Sequence, residues 1–209
     1  MNLCSRTIHL NGYNFSFSYR GDSVGDAGVV HQIFESQDYS VAHWAQGESL
    51  LRYHLEVSRE KPSLIIDAGA NIGASPVFFS RTYQNSFVYS IEPDKTNWHL
   101  LELNTKEISG YNLHGAISSH DGELEFLDPG RSDWGFMTRA KQETPSGSGG
   151  VFVNAISPSS ILSSPECHQM SPLIFKIDIE GGEEHLFEGD TSWLDLFLSL
   201  IHISEPTRP

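Results

Sequence analysis

The stretch LIIDAGANIGASPVFF, Leu64–Phe79, decides how the rest of the chain is read. Leu64–Ile66 is an apolar run of strand length, and Ala74–Phe79 resumes the apolar character with helical spacing. Between them stand Asp67 and the pair Gly69 and Gly73. A glycine-bearing turn after a buried strand lets the backbone adopt angles other residues resist, and lets a ligand approach closely. In doubly wound sheets that turn lies where ligands bind, beyond the carboxyl ends of the strands. The spacing is G-x-x-x-G, not the G-x-G-x-x-G of a dinucleotide site. Asp67 would repel a pyrophosphate and attract a cationic group.

Working outward, the same unit recurs. FVYSIE reads as a second strand, closed by Glu92, 25 positions after Asp67. An acid there suits a ribose, because one carboxylate accepts from two hydroxyls. DKTNWHLLELNTKE reads as the next helix, YNLHGAIS as a third strand and GELEFLD as an added antiparallel strand. VFVNAI and PLIFKIDIE read as further strands, with a helix in GEEHLFEGDTSW. Continuous apolar strands alternating with helices predict a mostly parallel sheet covered on both faces, an α/β Rossmann-like architecture. In KIDIE, strand alternation places Lys176, Asp178 and Glu180 on one face. Three charges at a strand end are costly to bury unless they pair or serve a ligand.

Upstream, residues 6–20 alternate around Asn11–Gly12, a hairpin pattern. Residues 26–38 and 48–60 read as helices, separated by the irregular aromatic segment QDYSVAHWAQ. The division expected is 1–60 for a hairpin and helices packing on the core, 61–198 for the core, and 199–209 for a non-native tail. Residues 128–150 read as a long loop rich in Gly, Ser and Pro, in first place a solvated linker and in second a cover in which Trp134 stacks on a sugar face.

The chain has 209 residues, enough for one domain, and its formal charge of -14 offers no basic footprint for nucleic acid. Cys4 and Cys167 make neither a disulfide framework nor a metal pair. No signal peptide and no apolar run of membrane length are visible, so the expected address is cytoplasmic, with no membrane partner.

Two acids at adjacent strand ends suit a ligand with a nucleoside and a positive charge but no phosphate; S-adenosylmethionine fits. Here the segments IIDAGANIG, YSIEPDKTNWHLLELN and FKIDIEGGEEHLFEG resemble the FkbM-type S-adenosylmethionine-dependent methyltransferases, over roughly residues 22–195. The resemblance implies a class I methyltransferase fold of seven strands, and methyl transfer, usually to a hydroxyl of a sugar or secondary metabolite. It implies that Asp67, Gly69, Asn71 and Gly73 line the methionine end of the cofactor and that Glu92 holds its ribose. Ala116 and Ile117, with Ser118 beside them, fall where the adenine would lie. We expect Asp178 or Glu180 to take the acceptor's proton, Lys176 orienting them, and no metal.

Two other readings stand beside this one. A nicotinamide-dependent oxidoreductase is disfavoured by the missing fingerprint and by the acid at the first strand's end. A truncated, non-catalytic cofactor-binding module is suggested by the end of the sequence. SLIHISEPTRP resembles the translation of a sequencing-adapter read-through, and the class normally finishes with two more strands. Loss of those strands would bare an apolar edge and favour self-association.

Overall fold

A computed structural model describes residues 2–127, 137–140, 151–179 and 182–202. Trp134, most of the 128–150 loop, Glu180 and 203–209 lie outside the described residues. The N-terminal hairpin is present as β1 (Leu3–Leu10) and β2 (Tyr13–Arg20). The turn residues Asn11 and Gly12 both take positive φ, +50° and +82°, as a two-residue hairpin turn requires.

Next, α1 (Val24–Val30) is capped by Ser23, whose Oγ accepts from the Asp26 N–H. It runs on through a wide π-type turn, His31–Ser36, and stops at Gln37 in the left-handed region. This is the expected helix over 26–38, reshaped at its end. A short 3₁₀ turn (Val41–His43) and α2 (Ala45–Val57) follow.

The main sheet is built from β3 (Ser63–Ala68), β4 (Ser86–Glu92), β5 (Gly110–His114), β10 (Ser171–Ile177) and β11 (Ser199–His202). All pairs are parallel, in the order β11-β10-β3-β4-β5. Every residue of β3 is buried, which explains its unbroken apolar reading. Ser199–His202, expected to begin a foreign tail, pairs residue for residue with Ile174–Ile177. Between strands run α3 (Ala74–Thr82) and α4 (Lys95–Thr105), as expected.

The third strand differs from the sequence reading. YNLHGAIS breaks at Gly115 into β5 and β6 (Ala116–Ile117), which belong to different sheets. The cause is a close crossing: a Cβ on Gly115 would stand 2.5 Å from the carbonyl oxygen of Asn154. Beyond it, β6 joins β9 (Val151–Ile156), β7 (Gly122–Leu127) and β8 (Met137–Ala140) in a second sheet, order β6-β9-β7-β8. The antiparallel addition at GELEFL is thus present as β7. The helix expected in GEEHLFEGDTSW is present as the short α6 (Glu183–Phe187), while α5 (Pro158–Ser163) went unread.

Two apolar layers sandwich the main sheet. One joins Ile65, Val88 and Ile174 to Phe78, Phe79 and Leu50, and also to Ile8, Phe17 and Ile33 of the N-terminal layer. The other joins Leu64, Ile66, Phe175 and Ile177 to Trp193 and Leu186. One core therefore crosses the division expected near residue 60. Each fully buried side chain such as Ile65 or Ile66 contributes about 1.5–3 kcal/mol to holding these layers together.

Candidate active site

Strand register brings the charged residues together. Lys176 is level with Asp67, and Asp67 with Ser90. Asp178 and Glu92 lie two residues further along their strands, and so fall on the same face as Lys176 and Asp67. Between the two acidic stations runs the turn Gly69–Gly73. Its conformation is demanding: Gly69, Asn71 and Gly73 have φ of +80°, +49° and +93°. At Gly69 only hydrogen fits, because a Cβ would sit 1.8 Å from the carbonyl oxygen of Asp178. The turn is fastened from behind, as the Gly69 and Ala70 N–H groups both donate to the carbonyl of Ile91, at 3.0 Å each.

Lys176 is the hub. Its side chain is 1% exposed and Asp67 is 0% exposed, so both charges are out of water. The ammonium lies 3.0 Å from Asp67 Oδ1 and 3.5 Å from Asp178 Oδ2, and donates to the Gly69 carbonyl at 2.6 Å. One hydrogen bond and two ion pairs thus compensate the buried ammonium, as burying a charge requires. Burial alone would lower its pKa, but the Asp67 carboxylate beside it holds it well above the usual lysine value. The other oxygen of Asp67 accepts from Ser75 Oγ at 2.6 Å, two residues into the adjoining helix turn.

This arrangement alters the expected part of Asp67. The argument from spacing gave it an open carboxylate facing a cationic ligand; the side chain is instead enclosed, and its charge is balanced by Lys176. Any influence on a ligand passes through the turn it anchors. Asp178 is different. It remains 29% exposed and presents Oδ2 to both Lys176 and Tyr39, whose hydroxyl donates at 2.9 Å. Among the described residues nothing bonds its Oδ1.

Glu92 closes β4 with no cation beside it among the described residues. Oε2 accepts from the Asn71 N–H at 2.8 Å and Oε1 from the Asp94 N–H at 2.9 Å. It is 5% exposed. Burial pushes its carboxyl up to about 7, helped by the nearby Asp94 charge and opposed by the two backbone donors. Asp94 caps α4 by accepting from the Asn97 N–H at 2.8 Å.

Ala116 and Ile117 are buried, and the break preceding them is tied to the site by the Gly115 N–H, which donates to the Glu92 carbonyl at 3.1 Å. Ser118, next in line, is 1% exposed and its Oγ has no hydrogen-bond partner among the described residues. Among the described residues no group of three His, Cys, Asp or Glu could hold a metal, and no helix is long and apolar enough to cross a membrane.

The sequence reading missed Tyr39 and Ser75. Ser75 carried a usable signal, a hydroxyl just inside a helix whose preceding strand ends in an acid. Tyr39 carried only its place in an aromatic, irregular segment.

Among curated proteins none matches the sequence. Among solved structures, the plantazolicin methyltransferase BpumL in complex with SAH is similar, at 13% identity and a TM-score of 0.29. The match takes in 46% of this chain and 36% of that one, so the chain spans about a third of that structure's length. The family model described as "Methyltransferase FkbM domain" matches residues 67–203, from the buried aspartate through β11, and the chain belongs to that family.

Proposed function

We propose that the protein is an S-adenosylmethionine-dependent methyltransferase that methylates a hydroxyl of a sugar or secondary metabolite. Family membership supports the donor, and the residues at the carboxyl end of the sheet suit it. Ser118 Oγ is an orphaned buried polar atom beside Glu92's strand. Glu92 is a nearly buried carboxylate to which ribose hydroxyls would donate, and the Gly69–Gly73 turn beside it packs at Gly69 against the Asp178 carbonyl, which joins the two halves of the site. When bound, the cofactor supplies an electrophilic methyl group on a sulfonium.

The observation that carries the acceptor chemistry is Asp178. Its carboxylate is partly open to solvent and fixed at one oxygen by two donors. Oδ1 is placed to take the proton of an attacking hydroxyl, a task worth typically about 10²–10⁴-fold. An amine acceptor needs such a base less, so a held carboxylate favours oxygen. Glu180, which lies outside the described residues, is the second candidate base that the sequence offers. Lys176 pairs with Asp178 and donates to the Gly69 carbonyl, joining the proposed proton acceptor to the Gly69–Gly73 turn.

Calorimetric titration with S-adenosylmethionine tests the donor: we expect saturable binding, weakened tenfold or more in Glu92→Ala, and no binding of nicotinamide dinucleotides. A chain that folds but takes up no S-adenosylmethionine would overturn the proposal. Incubation with sugar and phenolic acceptors and labelled donor, read by mass spectrometry, then separates oxygen from nitrogen products.

A further inference from the structure

We propose that Tyr39, outside the matched family region, is a positioning residue of the methyl-transfer site: with Lys176 it pins Oδ2 of Asp178 and so leaves Oδ1 as the oxygen that meets the acceptor. The proposal rests on the methyltransferase reading.

The phenol is built into the site. Tyr39 is 5% exposed, and its ring stacks on Phe79, with centroids 5.8 Å apart and planes 20° apart. Its hydroxyl donates to Asp178 Oδ2 at 2.9 Å, a contact between residues 139 positions apart. The Lys176 ammonium lies 5.5 Å from the ring centroid, within range of a cation–π attraction. Burial raises the phenol's pKa, so it stays a donor throughout the working range. The wide turn His31–Ser36 and the left-handed Gln37 set the chain's direction here, and the Ser40 N–H returns to the Gln37 carbonyl at 2.8 Å.

A carboxylate held at neither oxygen rotates about its side-chain torsions and presents either one. One held at Oδ2 by two donors presents Oδ1 in a single direction, which is the kind of alignment that accelerates transfer between bound groups. The groups facing the carboxylate among the described residues are Tyr39 and Lys176, with Asp67 behind the lysine.

The test is Tyr39→Phe in the full chain, which keeps the ring and removes the donor. Carbon-13 NMR of carboxyl-labelled aspartate at one fixed pH, assigned through Asp178→Asn, should show the Asp178 carboxyl resonance displaced in the variant by loss of the Tyr39 hydrogen bond. Affinity for S-adenosylhomocysteine, measured in parallel, should stay within twofold. An unmoved Asp178 resonance in a folded Tyr39→Phe protein overturns the inference, while absence of S-adenosylhomocysteine binding in the unaltered protein overturns the underlying reading instead. Should Tyr39→Phe not fold, proton NMR of the unaltered protein decides: a slowly exchanging Tyr39 hydroxyl proton, lost in Asp178→Ala, is expected, and a freely exchanging one refutes the contact.

Discussion

Asp67 and Glu92 sit on one face at the carboxyl ends of neighbouring parallel strands, both nearly sealed from solvent, and they solve the problem of a buried carboxylate in opposite ways. Asp67 has an ammonium at 3.0 Å and a hydroxyl at 2.6 Å. Glu92 has two backbone N–H groups and a neighbouring aspartate. The first is a charge locked into the framework; the second holds a proton near neutrality and has reason to release it when better donors arrive. Two acids that look equivalent in sequence therefore divide into an anchor and a responsive group.

The harshest way to break that comparison is Lys176→Met. It leaves Asp67 buried without its cation, and removing one partner of a buried pair costs about 3–5 kcal/mol. Urea denaturation of the variant against the parent measures it. A loss below about 1 kcal/mol would mean that the Lys176–Asp67 pair does not hold the fold together.

Next comes the pH dependence of Glu92. Its carboxyl is raised from 4.5 to about 7, so between those values the folded chain binds a proton the unfolded chain does not. Stability should therefore fall as pH rises through that window, by up to about 3 kcal/mol. Glu92→Gln should flatten this component, and the difference between parent and variant isolates it from other titrating groups.

The same group sharpens the contrast through binding. If ribose hydroxyls favour the ionised carboxylate, S-adenosylmethionine affinity should rise about tenfold from pH 6 to pH 8, the gain expected for one proton released from a group near pH 7. Calorimetry in buffers of different ionisation enthalpy reads the proton directly. The smallest effect belongs to Asp94→Ala: loss of the α4 cap costs about 1 kcal/mol in thermal melts. Without the Asp94 charge, the Glu92 titration should move downward.

The parallel strands and the helices between them were legible because each carries its own period and its own end: buried β3 stops at Asp67 and Gly69, and α4 starts at a capping Asp94. What was not legible depends on partners distant in the chain. Gly115 looks like any strand glycine until the Asn154 carbonyl lies against it. Tyr39 gains a role only when Asp178, far along the sequence, folds over it. The spacing of Asp67 and Glu92 located both acids correctly, yet it carries no information about which of them lies beside Lys176.

Asn104 deserves a last inference. Its side-chain amide donates to the carbonyls of Ser18 and Ile72, while its Oδ1 accepts from the Ser18 N–H. One α4 residue thus clasps the N-terminal hairpin to the Gly69–Gly73 turn. Arg20 adds a second tie, reaching both Asp26 and Asn97. The hairpin is consequently a splint for the turn, and a protein expressed from the start of the matched family region onward would lack it. Hydrogen exchange should find the amides of β2 and of the Gly69–Gly73 turn opening in one cooperative event.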